Sequence, residues 1–204
     1  GGLVGFAGYD MVRYYENLPH APKDDRGLPD LAFGLYPDMV VFDHVSKTIK
    51  VVSNAMVREN PAAAYEKACA RIGRLVDRLS SPLDLPLEEV APATEPTLAF
   101  ASNFKREEFE AAVDRCKEYI FAGDIFQVVL SQRLAVKTVA DPFNIYRALR
   151  VVNPSPFMFH LKTPTCTLVG SSPEVMCRVE DGIITNRPLA GTRPGLMFSR
   201  STTL

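Results

Sequence analysis

Apolar and polar positions alternate over Leu31–Phe42 and again over Thr48–Ser53, which predicts strands. The turn Asp43–Lys47 folds the second half of the first run back as a hairpin. Before them, Gly1–Asp10 is rich in small and apolar residues and leads into an amphipathic start at Met11–Tyr14. A proline-rich loop, Pro19–Pro29, follows. At Asn60-Pro61 the period changes. An N-cap residue precedes proline at the first helical position, and Ala64, Ala68, Ile72, Leu75, Val76 and Leu79 recur at helical spacing. Ser80–Thr97 holds four prolines and several acids and reads as a surface linker. The expected organisation is an N-terminal lobe over 1–80, a linker over 81–98 and a second domain over 99–204.

Past the linker the pattern predicts a helix over Arg106–Ala122, with Phe109, Ala112, Val113, Cys116 and Ile120 on one face. Gly123 is its stop. Lys105 stands where a serine or threonine would pair with Glu108, so the helix start lacks the usual cap. Ile125–Val136 reads as a strand, and Asp141-Pro142 opens a short helix to about Val151. Strands are then expected over Phe157–Lys162, Thr165–Gly170, Val175–Val179 and Ile183–Arg187. Asp181-Gly182 is a strong hairpin signal between the last two. Helices mixed with antiparallel hairpins define an α+β class, not a regular βαβ array.

Composition narrows the function classes. The 204 residues are 47% hydrophobic and 23% charged, the balance of an ordinary globular protein. Lysine plus arginine (23) nearly cancels aspartate plus glutamate (24), so the basic face of a nucleic-acid binder is not expected. Apolar runs such as Met39–Phe42 are far too short to cross a bilayer. Gly1–Gly8 lacks a basic leader and a cleavage site, and a cytoplasmic location is the expectation. The four scattered cysteines have no zinc-ligand spacing and read as free thiols.

Three segments carry candidate chemistry. Along Ile125–Val136, Phe126, Val128, Leu130 and Leu134 share one face, and Gln127, Ser131 and Arg133 share the other with Ile125 and Val129. Such a polar face lines a site or meets solvent. Glu174 follows the small-residue turn Gly170-Ser171-Ser172-Pro173, where a carboxylate can be held rigidly for acid catalysis or can simply face water. Leu189–Pro194 combines a glycine for close backbone approach, a threonine hydroxyl and an arginine. It serves a ligand or ends a strand. Walker, dinucleotide and nucleophile-elbow motifs are absent.

GGLVGFAGYDMVRYYENLP (1–19), AGDIFQVVLSQR within 104–133, and NPSPFMFHL, LVGSSPE and NRPLAGTRP within 153–194 together resemble the chorismate-utilising enzymes. The likeness is greatest to the anthranilate synthase branch, component I. This resemblance implies an α+β fold of antiparallel sheets packed with helices, incomplete here. It also implies a magnesium-dependent lyase that converts chorismate and ammonia to anthranilate and pyruvate for tryptophan biosynthesis. In its terms Glu174 is the general acid that protonates the departing hydroxyl, with a carboxyl kept protonated by burial beside substrate. Ala190, Gly191 and Thr192 lie in the loop that contacts chorismate. Gln127 replaces the lysine base of relatives that add water, and Ala190 replaces the lysine nucleophile of many aminodeoxychorismate synthases. Both point to free ammonia as nucleophile.

The same resemblance implies a glutamine amidotransferase partner that supplies ammonia. It places Pro154, Ser155, Pro156, Phe157 and Met158 in the pocket through which tryptophan inhibits. The tail Gly195–Leu204 departs from the family pattern, and the carboxylates that hold magnesium are expected beyond Leu204. The 204 residues by themselves are therefore expected to be inactive. Aminodeoxychorismate synthase and a non-catalytic piece are the alternatives.

Overall fold

The computed structural model describes residues 1–83, 89–90 and 98–187. The chain clusters into two units, one of Gly1–Glu89 with Leu161–Thr167 and the other of Val90–His160 with Leu168–Leu204. The described residues form helices and two-stranded sheets, the α+β class expected from the pattern.

In the first unit, β1 (Gly2–Ala7) pairs antiparallel with β2 (Leu31–Tyr36), Gly2 opposite Tyr36 and Ala7 opposite Leu31. A 3-10 turn spans Tyr9–Tyr14. Pro37, which has no amide hydrogen to give a ladder, divides the alternating run 31–42. Beyond it β3 (Asp38–Asp43) takes a different partner, β4 (Thr48–Ser53). The hairpin turn is organised by Asp43. One carboxylate oxygen accepts the amides of Val45 and Ser46 at 3.0 Å each, and the other accepts Lys50 Nζ at 2.7 Å.

Helix α1 (Pro61–Ser80) begins as its cap predicts, with Asn60 Oδ1 accepting the Ala63 amide at 3.1 Å. Ala64, Ala68, Ile72 and Leu75 lie on its covered side, and Ala68 is fully buried. Arg71 fastens this helix to the hairpin. Its Nε donates to Asp38 Oδ1 (2.9 Å) and Ser53 Oγ (3.0 Å), and its Nη2 donates to the Asn54 carbonyl (3.0 Å). Ser53 Oγ in turn donates to Asp38 (2.6 Å).

The Ser53 hydroxyl and then the Arg71 guanidinium hold the Asp38 carboxyl below the usual range. The Lys50 ammonium, followed by the Ser46 amide, does the same for Asp43. Groups depressed in the folded state stabilise it above their ordinary pKa of about 3.8, and that stabilisation is lost as pH falls through the folded value. Thermal melting followed from pH 7 downward is expected to lose midpoint mainly below about pH 4. Asp38→Asn with Asp43→Asn should flatten that acid limb. An unchanged limb would remove these two carboxylates as its source.

In the second unit, β5 (Phe100–Ser102) pairs with β6 (Leu134–Val136). Helix α2 (Arg106–Ala122) keeps Phe109, Ala112, Val113 and Cys116 half-buried, and Phe104 meets Phe109 edge-on with ring centres 5.8 Å apart. At its start the Glu108 carboxylate accepts the Lys105 amide at 3.2 Å. That is the half of a capping box that lysine permits, since its ammonium cannot accept.

The strand expected over Ile125–Val136 is confined to Leu134–Val136. Residues 125–131 have strand-like alternation but no ladder partner among the described residues, and β structure requires one; the Arg133 carbonyl still accepts the Asn103 amide at 3.1 Å, next to the β5–β6 pair. Phe126 on the predicted apolar face is 93% exposed.

Helix α3 (Pro142–Val152) is capped by Asp141 Oδ1 on the Phe143 amide (2.7 Å). Strands β7 (Phe157–Lys162) and β8 (Thr167–Ser172) pair across the turn Thr163–Cys166. His160 on β7 meets Phe143 and Tyr146 of α3 edge-on, 5.6 and 6.0 Å between centres. Strands β9 (Cys177–Glu180) and β10 (Ile183–Asn186) form an antiparallel hairpin. Asp181 and Gly182 both have positive φ (51° and 75°), as a two-residue primed turn demands.

These elements enclose little. Among the described residues the buried hydrophobic core is Ala68 alone. Apolar faces built to be covered stand open.

Candidate active site

The candidate acid is carried by the turn that ends β8. Two serines clasp this turn to the segment following α3. Ser171 Oγ donates to the Asn153 carbonyl (2.7 Å), and Ser155 Oγ donates to the Ser172 carbonyl (2.8 Å). Ser172 Oγ then donates to the backbone carbonyl of Glu174 (3.2 Å). The Asn-Pro-Ser-Pro and Ser-Ser-Pro-Glu turns, 17 to 18 residues apart in sequence, are thus crosslinked by reciprocal hydrogen bonds.

Glu174 lies on an open cleft of about 460 Å³ between this turn and the β9–β10 hairpin, lined also by Phe157, Thr185 and Arg187. Its side chain is 39% exposed, and Oε1 accepts Arg187 Nη1 at 3.2 Å. Arg187 is itself anchored by its amide to the Met176 carbonyl at 2.6 Å. At the rim, Arg178 pairs with Glu180 at 2.7 Å.

Gly170 sets the approach of β7 to β8 just before the acid's turn. A Cβ there would lie 2.2 Å from the Phe159 ring. Gly170→Ala is expected to displace that ring and cost about 1–3 kcal/mol as overpacking, measured by urea unfolding. An unchanged midpoint would mean that Phe159 rotates away freely.

The structure brings together only part of the predicted site. Glu174 and Phe157 share the cleft, and Ser155 supports the acid's turn. Pro154 and Pro156 are exposed, and Met158 is half-buried on β7. Gln127 is exposed in the irregular stretch before β6 and does not line the cleft. Ala190, Gly191 and Thr192 lie outside the described residues. Sequence reasoning gave no separate role to Arg187, although it opens the Arg-Pro-Leu-Ala-Gly-Thr-Arg motif at the end of a predicted strand.

The resemblance implies magnesium ligands beyond Leu204. Among the described residues no three histidine, cysteine, aspartate or glutamate side chains are grouped as a metal requires. Among the same residues no helix is long and apolar enough to cross a membrane.

An α+β chain with a clasped Ser-Ser-Pro-Glu turn on an open cleft matches the family model of the chorismate binding enzymes over residues 1–196, and the chain belongs to that family. Its relatives narrow the class. It is 46% identical over 198 residues to anthranilate synthase component 1 of Acetivibrio thermocellus, covering 95% of this chain and 40% of that protein. It is 49% identical over 203 residues to the chloroplastic anthranilate synthase alpha subunit 1 of Oryza sativa subsp. indica, covering 94% and 35%. Among solved structures, anthranilate synthase component I from Streptococcus pneumoniae TIGR4 superposes with a TM-score of 0.76 at 33% identity, covering 90% of this chain and 41% of that one. The chain therefore spans about two fifths of the length of these relatives.

Proposed function

We propose that the protein carrying these residues is the synthase subunit of anthranilate synthase. It converts chorismate and ammonia to anthranilate, pyruvate and water. The observation that carries this reading is Glu174, fixed on the cleft by the serine clasp, in a chain 46–49% identical to proteins named for that activity. Ammonia attacks the ring carbon beside the carboxyl-bearing one. Glu174 delivers a proton to the departing hydroxyl, which leaves as water. Loss of pyruvate then restores the aromatic ring. Gln127 and Ala190 supply neither a base for water nor a nucleophilic amine, which favours ammonia over both. Gly191 and Thr192 complete the proposed substrate loop.

A glutamine amidotransferase partner supplying the ammonia belongs to the same reading. So do a cytoplasmic reaction site and tryptophan as inhibitor at Pro154–Met158. The Ser155 and Ser171 hydrogen bonds support the last of these, since they join that segment to the acid's turn.

The test is product identification. The intact gene product, given chorismate, magnesium and ammonium, is expected to yield anthranilate by fluorescence and chromatography. A 4-amino product would move the protein to aminodeoxychorismate synthase, and isochorismate would show that Gln127 does not exclude water.

A further inference from the structure

We propose that Arg187 is the positioning residue for Glu174, an inference that rests on the general-acid reading above. A carboxylate on a turn has free rotation about its side-chain bonds, and the serine clasp restrains only the backbone of this one. The single side chain that hydrogen-bonds the Glu174 carboxylate in the described structure is Arg187, at 3.2 Å. Both line the same cleft. The arginine has a defined origin, because its own amide is bonded to the Met176 carbonyl two residues beyond the acid. A closed loop of contacts thus runs from Glu174 through Met176 to Arg187 and back. It fixes the carboxylate's direction relative to the hairpin as well as to the clasp.

Arg187 also stands three positions before Ala190–Thr192 in sequence, the residues proposed to contact substrate. Charge alone would be met by lysine. The anchored amide and a planar donor with limited freedom favour arginine.

Three variants of the intact gene product, assayed for anthranilate formation from chorismate, ammonium and magnesium, test this. Arg187→Gln is expected to lower kcat by about 10- to 100-fold, the usual cost of a misplaced catalytic group, with KM changed less than about threefold. Arg187→Lys should recover a substantial part of that loss. On a Glu174→Gln background, Arg187→Gln should add nothing further, because a positioning residue has no effect without the group it positions. Matched melting midpoints confirm folding, which the 65% exposure of Arg187 makes the expected result.

The outcomes separate. If Arg187→Gln raises KM with kcat unchanged, or if its loss persists in full on the Glu174→Gln background, the positioning role is wrong. If Glu174→Gln itself keeps wild-type kcat, the general-acid reading fails first. A large Glu174→Gln loss with a neutral Arg187→Gln overturns this inference alone.

Discussion

Glu174→Gln in the intact gene product is expected to reduce kcat by about 10²- to 10⁴-fold, the range for loss of a general acid. Glutamine preserves the side chain's length and can still accept the Arg187 hydrogen bond through its carbonyl oxygen. The cleft therefore keeps its shape while losing the transferable proton. Hydroxide is a poor leaving group from the ring, so the step most dependent on that proton should slow most. KM should change little, because the backbone contacts that hold the turn involve Ser171, Ser172 and Ser155 and none of the carboxylate oxygens. Steady-state kinetics with ammonium in place of glutamine isolates this chemistry from ammonia supply. A variant with kcat within about threefold of wild type would remove Glu174 from acid catalysis and leave the turn with a structural task.

Much of this architecture was legible because it is encoded locally. Asn60-Pro61 and Asp141-Pro142 each start a helix where cap chemistry predicts, and Asp181-Gly182 turns the last hairpin at the expected pair. Such signals need only neighbours in sequence. The stretch 125–133 shows where locality ends. Its alternation is that of a strand, yet a strand is a property of two segments, and among the described residues no second segment forms a ladder along 125–131. Pro37 is the intermediate case, a local breaker whose consequence, the switch from β1 to β4, is set by tertiary pairing.

The site divides along the same line. Glu174 stood out from its turn of small residues, and family resemblance gave it a role. The clasp between Ser155 and Ser172, and the pairing of Glu174 with Arg187, join residues 13 to 17 positions apart. Each partner is an ordinary serine or arginine in the sequence. Only the fold shows that they act on the same carboxylate-bearing turn.

The second large effect concerns the 204 residues by themselves. Given chorismate, magnesium and ammonium, they are expected to form no detectable anthranilate, and size-exclusion chromatography should show self-association. The described residues offer no grouped ligands for a metal, and the chain covers 35–41% of the length of relatives named for the activity. The apolar surface is also uncovered. Phe126, Val129 and Phe121 are 93%, 71% and 76% exposed, and Leu3, Leu35 and Phe33 on the β1–β2 sheet all exceed 55%. Patches of this kind drive association when no partner surface occupies them. Every two-stranded sheet among those described also presents unpaired backbone at its edges, an additional template for intermolecular pairing. Supplying the further length that those relatives have should then restore both solubility and turnover. Turnover by the 204 residues alone would show that the reaction needs no groups beyond them. A monodisperse sample that melts cooperatively would show that these faces find their cover within the chain.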